Sequence, residues 1–133
     1  MMFLDLDGFK LINDTFGHNV GDELLKVILK RLLELVLQSD TVARLRGDEF
    51  IFVLNKPKIK NEFLQVAERI IRTINEPVDL SGSDLEIGVS IGISMFPDDE
   101  IKLIDLIKKA DQAIYRSKTS GRNLVNFFMP EFD

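Results

Sequence analysis

Asp48 and Glu49 are adjacent carboxylates that follow Gly47 and precede the apolar run Phe50-Ile51-Phe52-Val53-Leu54. Asp5 and Asp7 form a second acidic pair near the start of the chain, two positions apart. In a strand, that spacing points both side chains to one face. If the two acidic segments are neighbours in a sheet, their ends bring four carboxylates together. Such a cluster needs cations, and its hard oxygen ligands suit Mg²⁺ or Mn²⁺ rather than zinc. Mg²⁺ held by few carboxylates keeps positions for water and substrate phosphates, so the chemistry indicated is nucleotidyl transfer. Lys10, Lys118 and Arg122 are the candidate phosphate partners. Lys118 and Arg122 are four positions apart around a predicted helix end, a spacing that clamps a phosphate. Asn13 and Asp22 offer an amide and a carboxylate that can read a base edge.

Each of these residues has a plainer role when taken singly. An acid is ordinarily solvated surface. Lys118 and Arg122 would complement the negative end of a helix. Asn13 suits a turn, Asp22 a helix cap, and His18 beside Gly17 a structural position. The case for chemistry rests on their combination.

Composition narrows the classes. The chain has 133 residues, 45% hydrophobic and 29% charged, as expected of one globular domain. A net charge of -5 argues against a nucleic-acid or membrane-surface binder held by a broad basic face. A small anion gripped by a few local cations remains compatible. There is no cysteine and one histidine, which excludes disulfides and cysteine chemistry and disfavours a histidine-rich metal site. No apolar run approaches the roughly 20 residues of a membrane span, and the first residues are no signal peptide. The expected compartment is the cytoplasm.

The elements that must position the acids follow from periodicity. Met2-Phe3-Leu4 reads as a buried strand leading into Asp5, and Leu11–His18 as a short helical turn closed by Gly17. A long helix is predicted from a cap at Gly21 or Asp22 to about Gln38, with Leu24, Ile28, Leu32 and Leu35 on one face. Thr41–Leu45 and Phe50–Leu54 read as the arms of a hairpin around Gly47-Asp48. Lys56-Pro57-Lys58 is a charged connector, and a helix spans about Ile59–Asn75 before Pro77. Val78–Leu80 is a short strand, Ser81–Asp84 a turn, and Leu85–Met95 one alternating strand. Gly88 and Gly92, on one face of that strand, predict close approach of something to it. Pro97-Asp98-Asp99 caps a helix over about Glu100–Lys118, and Leu124–Phe128 is the last strand. The expected architecture is α/β (α+β), helices over one central mixed sheet as in palm-like folds.

These segments resemble, in order and spacing, the GGDEF-domain diguanylate cyclases. The resemblance is carried by Phe3-Leu4-Asp5-Leu6-Asp7-Gly8-Phe9-Lys10, Asn13-Asp14, Gly17-His18, Gly21-Asp22, Arg46-Gly47-Asp48-Glu49-Phe50 and Lys118 with Gly121-Arg122-Asn123. Ser90–Ser94 and Ala110–Tyr115 match as well. The resemblance implies a palm-like nucleotidyl-cyclase fold. It implies condensation of two GTP to cyclic di-GMP with release of pyrophosphate, in a homodimer whose subunits each bind one GTP. It assigns metal binding to Asp5, the Leu6 carbonyl, Asp48 and Glu49, and catalytic roles to Asp48 and Glu49. Lys10, Asn13, Asp22, Gly47, Lys118 and Arg122 would bind substrate. It also implies a sensory or receiver domain upstream in a longer protein.

Three departures from the family pattern carry their own expectations. Position 46 is Arg where the signature begins with Gly, which places a long cation where it either hinders the ribose or adds a phosphate contact. Leu37-Gln38-Ser39-Asp40 stands where the family's product-inhibition site has Arg-x-x-Asp, so no inhibition by cyclic di-GMP is expected through that site. Residues 1–133 are expected to form a single domain that lacks the family's upstream helix, with exposed apolar surface and weak activity. The alternatives to an active cyclase are a catalytically silent GTP-binding regulatory domain and a pure interaction domain.

Overall fold

Alternation along the first strand sorts its side chains between two layers. In β1 (Met2–Asp7), Met2, Leu4 and Leu6 are buried in the main core, while Phe3 packs on the other face with Ala110 and Ile114. Asp5 and Asp7 continue the Phe3 face, where that alternation leaves them at the strand's exit. The computed structural model describes residues 1–36, 40–55, 59–80 and 82–129. The elements after β1 are α1 (Phe9–Phe16), α2 (His18–Leu35), β2 (Thr41–Arg46), β3 (Glu49–Val53), α3 (Lys60–Asn75), β4 (Val78–Leu80), β5 (Ser83–Leu85), β6 (Gly88–Ile93), α4 (Leu103–Thr119) and β7 (Val125–Phe127).

Five strands form the central sheet in the order β2-β3-β1-β6-β7. All neighbours are antiparallel except β6 and β7, which run parallel, so the sheet is mixed as expected. On one face, Leu24, Ile28 and Leu32 of α2 and Phe63, Ile70 and Ile74 of α3 cover Met2, Leu4, Phe50 and Phe52. On the other, α4 lies across β6, β7 and β1. β6 is therefore covered on both sides, and even Ser90 and Gly92 are buried. A Cβ at Gly92 would run into the carbonyl of Ala110, which is the close approach that the strand glycines predict. Two buried serines on this side bond to backbone: Ser94 Oγ donates to the Leu106 carbonyl at 2.7 Å and Ser117 Oγ to the Ile91 carbonyl at 3.0 Å.

Several boundaries differ from expectation, each for a local reason. α2 begins at His18, not at Gly21 or Asp22, because Gly17 (φ 95, ψ 162) turns the chain directly from α1 into α2. Its last residue is Leu35; Gln38 lies outside the described residues, as do Leu37, Ser39, the Lys56-Pro57-Lys58 connector and Ser81. The single strand expected over Leu85–Met95 is divided. Ser83–Leu85 pairs with β4 in a separate two-stranded hairpin, so Ser83 and Asp84 are strand rather than turn. α4 starts at Leu103, because Asp99 spends its carboxylate on the Met95 N–H (2.7 Å) and closes a turn instead of capping the helix. Among the described residues, no helix is long and apolar enough to cross a membrane.

Candidate functional site

The hairpin and β1 place the acids as the alternation requires. Asp5 pairs in register with Glu49, and Glu49 with Arg46. On its other side Asp5 pairs with Ser90. Arg46, Glu49, Asp5 and Ser90 thus form a row across β2, β3, β1 and β6. Gly47, at φ 50, lets the tip turn. The Leu6 N–H donates to the Asp48 carbonyl at 3.1 Å, fastening the tip to the end of β1. Arg44 Nε donates to the Gly47 carbonyl at 2.9 Å and braces it from β2.

Charge is distributed unevenly over this row. Lys118, in the last turn of α4, bonds to Asp5 Oδ2. Arg46 Nε lies 3.5 Å from Glu49 Oε2. The cation that departs from the family signature is therefore turned onto Glu49, with no positive φ at position 46. Asp48 is pushed above the ordinary carboxylate range, first by burial and then by the charge of Asp5 beside it. Its own backbone hydrogen bond and Lys118 oppose the rise. A half-buried carboxyl whose ionised form is disfavoured by a neighbouring carboxylate is a group that a cation would relieve, so Asp5 and Asp48 fit a hard divalent ion. Among the described residues, no three acidic or histidine side chains stand together as a ready-made ion cage.

The expected cluster of four acids is corrected at Asp7. Ser90 Oγ donates to Asp7 Oδ1 at 2.7 Å and the Asn123 N–H donates to Asp7 Oδ2 at 2.9 Å. Arg122 Nη1 lies 3.8 Å from Asp7 Oδ1. Asp7 serves β6 and the turn after α4. Lys118 and Arg122, one turn apart in sequence, thus match Asp5 and Asp7 in two parallel ion pairs.

Asn13 and Asp22 sit at the corner of α1 and α2. Asn13 Oδ1 is buried and, among the described residues, without a hydrogen-bond partner. It lies over Gly21, where a Cβ would collide with it. An orphaned buried acceptor costs about 1–3 kcal/mol unless a donor meets it, and a base-edge N–H is such a donor. Asp22 is exposed and lines a cavity of about 310 Å³ with Lys26, Arg44 and Phe50, which links this corner to the hairpin. Lys10 is exposed on α1. Arg44, Ser90 and Asn123 hold the site together, although the sequence assigned them no site role. Arg44, three positions before Gly47, carried the clearest signal.

Residues 1–124 match the family described as "Diguanylate cyclase, GGDEF domain". Diguanylate cyclase DosC of Escherichia coli K12 is 43% identical over 134 residues, covering 96% of this chain and 28% of DosC. The cyclic di-GMP phosphodiesterase NbdA of Pseudomonas aeruginosa is 40% identical over 128 residues, covering 96% of this chain and 16% of NbdA. The chain thus spans well under a third of the length of these relatives. Among solved structures, the GGDEF domain of YfiN (TpbB) from Pseudomonas aeruginosa superposes with a TM-score of 0.94 at 35% identity, covering 98% of this chain and 81% of that one. The active GGEEF domain of a diguanylate cyclase from Vibrio cholerae gives 0.81 at 30% identity, covering 98% and 82%. The mixed sheet, the acidic hairpin tip beside β1 and these matches lead to one assignment: the chain belongs to the GGDEF-domain family of diguanylate cyclases.

Proposed function

We propose that residues 1–133 form one GGDEF domain that condenses two GTP molecules to cyclic di-GMP. The observation that carries this reading is the Asp5–Asp48 pair beside Lys118, where burial and Asp5 raise Asp48. Asp5, Asp48, Glu49 and the Leu6 carbonyl would hold Mg²⁺ or Mn²⁺, whose charge offsets that of the phosphates. Asn13 Oδ1 would accept from the guanine edge, with Asp22 beside it. Gly47 leaves room at the hairpin tip, and Lys10, Lys118 and Arg122 would hold phosphate oxygens.

The 3′-hydroxyl of one GTP attacks the α-phosphorus of the other. A P–O bond forms, the bond to the β-phosphate oxygen breaks, and pyrophosphate leaves; the reciprocal attack closes the ring. Asp48 or Glu49 takes the hydroxyl proton. Each subunit of a homodimer supplies one GTP. No nucleic-acid or membrane contact is assigned to this domain, and the compartment is the cytoplasm, where GTP is found. An upstream sensory or receiver domain would control it in a longer protein.

A second reading, a catalytically silent GTP-binding regulatory domain, is favoured by the Arg46–Glu49 ion pair at the hairpin and by similarity to a relative named as a phosphodiesterase. Incubation with GTP and Mg²⁺, followed by chromatography of the nucleotides, separates the two. Cyclic di-GMP as product, abolished in Asp48→Ala, supports the cyclase. GTP binding without product supports the silent domain, and absence of both sinks the two together.

A further inference from the structure

Two consecutive residues after α4, Arg122 (φ 62) and Asn123 (φ 52), adopt the left-handed conformation. Asn tolerates it, but Arg seldom does. Backbone of this kind persists where its surroundings over-determine it. Here the Arg122 N–H donates to the Ser117 carbonyl at 2.9 Å. Asn123 Oδ1 accepts the Val89 N–H at 3.2 Å. Between them, Asp7 Oδ2 accepts the Asn123 N–H, and Ser90 holds the other carboxylate oxygen. A Cβ at Gly88 would press on both Asn123 Oδ1 and Asp7 Oδ2, so the packing is close.

We infer that Asp7 is a positioning residue: it latches the left-handed turn at Arg122–Asn123 and so aims the Arg122 guanidinium at substrate phosphate. The side chain of Asp7 is only 11% exposed, whereas that of Arg122 is 60% exposed. At 3.8 Å the carboxylate orients the guanidinium without occupying its full set of donors. Asp7 borders, with Gly88, Arg122 and Asn123, a cavity of about 410 Å³. Its carboxylate is thereby committed to the turn at the ends of β1 and β6, two residues along from Asp5.

The inference rests on the proposed phosphate role of Arg122, and two measurements keep the two apart. The first is trypsin cleavage after Arg122. Asp7→Ala should speed it about tenfold, as expected for a turn that has lost a hydrogen bond to a carboxylate. Asp7→Asn should leave it unchanged, because the amide oxygen still accepts the Asn123 N–H and the Ser90 hydroxyl can rotate to accept from the amide nitrogen. The second is calorimetric binding of a non-hydrolysable GTP analogue and of guanosine. Asp7→Ala and Arg122→Ala should each weaken the analogue about tenfold, the double variant no further, and guanosine should bind equally to all. Additive losses, or parallel loss of guanosine binding, would overturn the positioning role. Unchanged cleavage in Asp7→Ala, or equal acceleration in Asp7→Asn, would overturn the latch. If the unaltered chain binds no GTP, the aiming of Arg122 falls with the cyclase reading, while cleavage still decides on the latch itself.

Discussion

Asp5 and Glu49 face each other across β1 and β3, and each carries its own cation. Lys118 reaches Asp5 from α4, and Arg46 reaches Glu49 along the hairpin. The acidic edge is therefore partly neutralised by the protein itself. A divalent ion entering there must displace or share these partners.

Arg46 is the one to remove first. Arg46→Gln keeps the length of the side chain and deletes its charge. Mn²⁺ should then bind about two- to fivefold tighter, the range expected from losing an exposed ion pair worth roughly 0.4–1 kcal/mol. Electron paramagnetic resonance of free Mn²⁺, without nucleotide, measures this. Equal or weaker binding in the variant would mean that Arg46 does not compete for Glu49.

Asp48 should separate function from stability. Its folded pKa is raised, so the fold binds the proton more tightly than the unfolded chain. The stability this contributes is full below the ordinary value of 3.8 and is lost as pH rises through the raised folded value. At pH 7 the carboxylate is disfavoured in the fold. Asp48→Asn should therefore melt at or above the unaltered protein at pH 7, with the difference vanishing near pH 3, while turnover falls at least about a hundredfold. Mn²⁺ should raise the melting temperature of the unaltered chain more than that of the variant. A variant less stable at pH 7 would contradict this account of Asp48.

Gly21→Ala tests the base corner without touching the acids. The new methyl would displace the Asn13 side chain. Alanine is the better helix former by about 1 kcal/mol, which offsets part of the strain. GTP affinity should fall about tenfold, in step with Asn13→Ala, and Mn²⁺ binding should stay constant. Unaltered nucleotide affinity in both variants would remove Asn13 from the guanine site.

The sequence made the strand–hairpin adjacency legible, because alternation through Met2-Phe3-Leu4 and the Gly47-Asp48 turn are local signals. It also brought Asp5, Asp48 and Lys118 to one edge. It misplaced Asp7, because spacing shows which face a carboxylate takes and not which donors reach it. The donors at Asp7 come from Ser90 and Asn123, distant in sequence and set by the tertiary fold. The break in the strand at Glu86-Ile87 was hidden for a similar reason. Residues buried on either hairpin or sheet keep the same alternation, and only the Val78–Leu85 pairing distinguishes them.

Gly92 gives α4 the character of a lever. The helix rests on the sheet where Gly92 meets Ala110 and Ile114, and Lys118 is one further turn along the same helix. The missing side chain at Gly92 is thus a fulcrum that sets how far the ammonium group stands from Asp5. A single hydrogen atom in mid-sheet, with no polar chemistry of its own, governs the distance between charges at the rim.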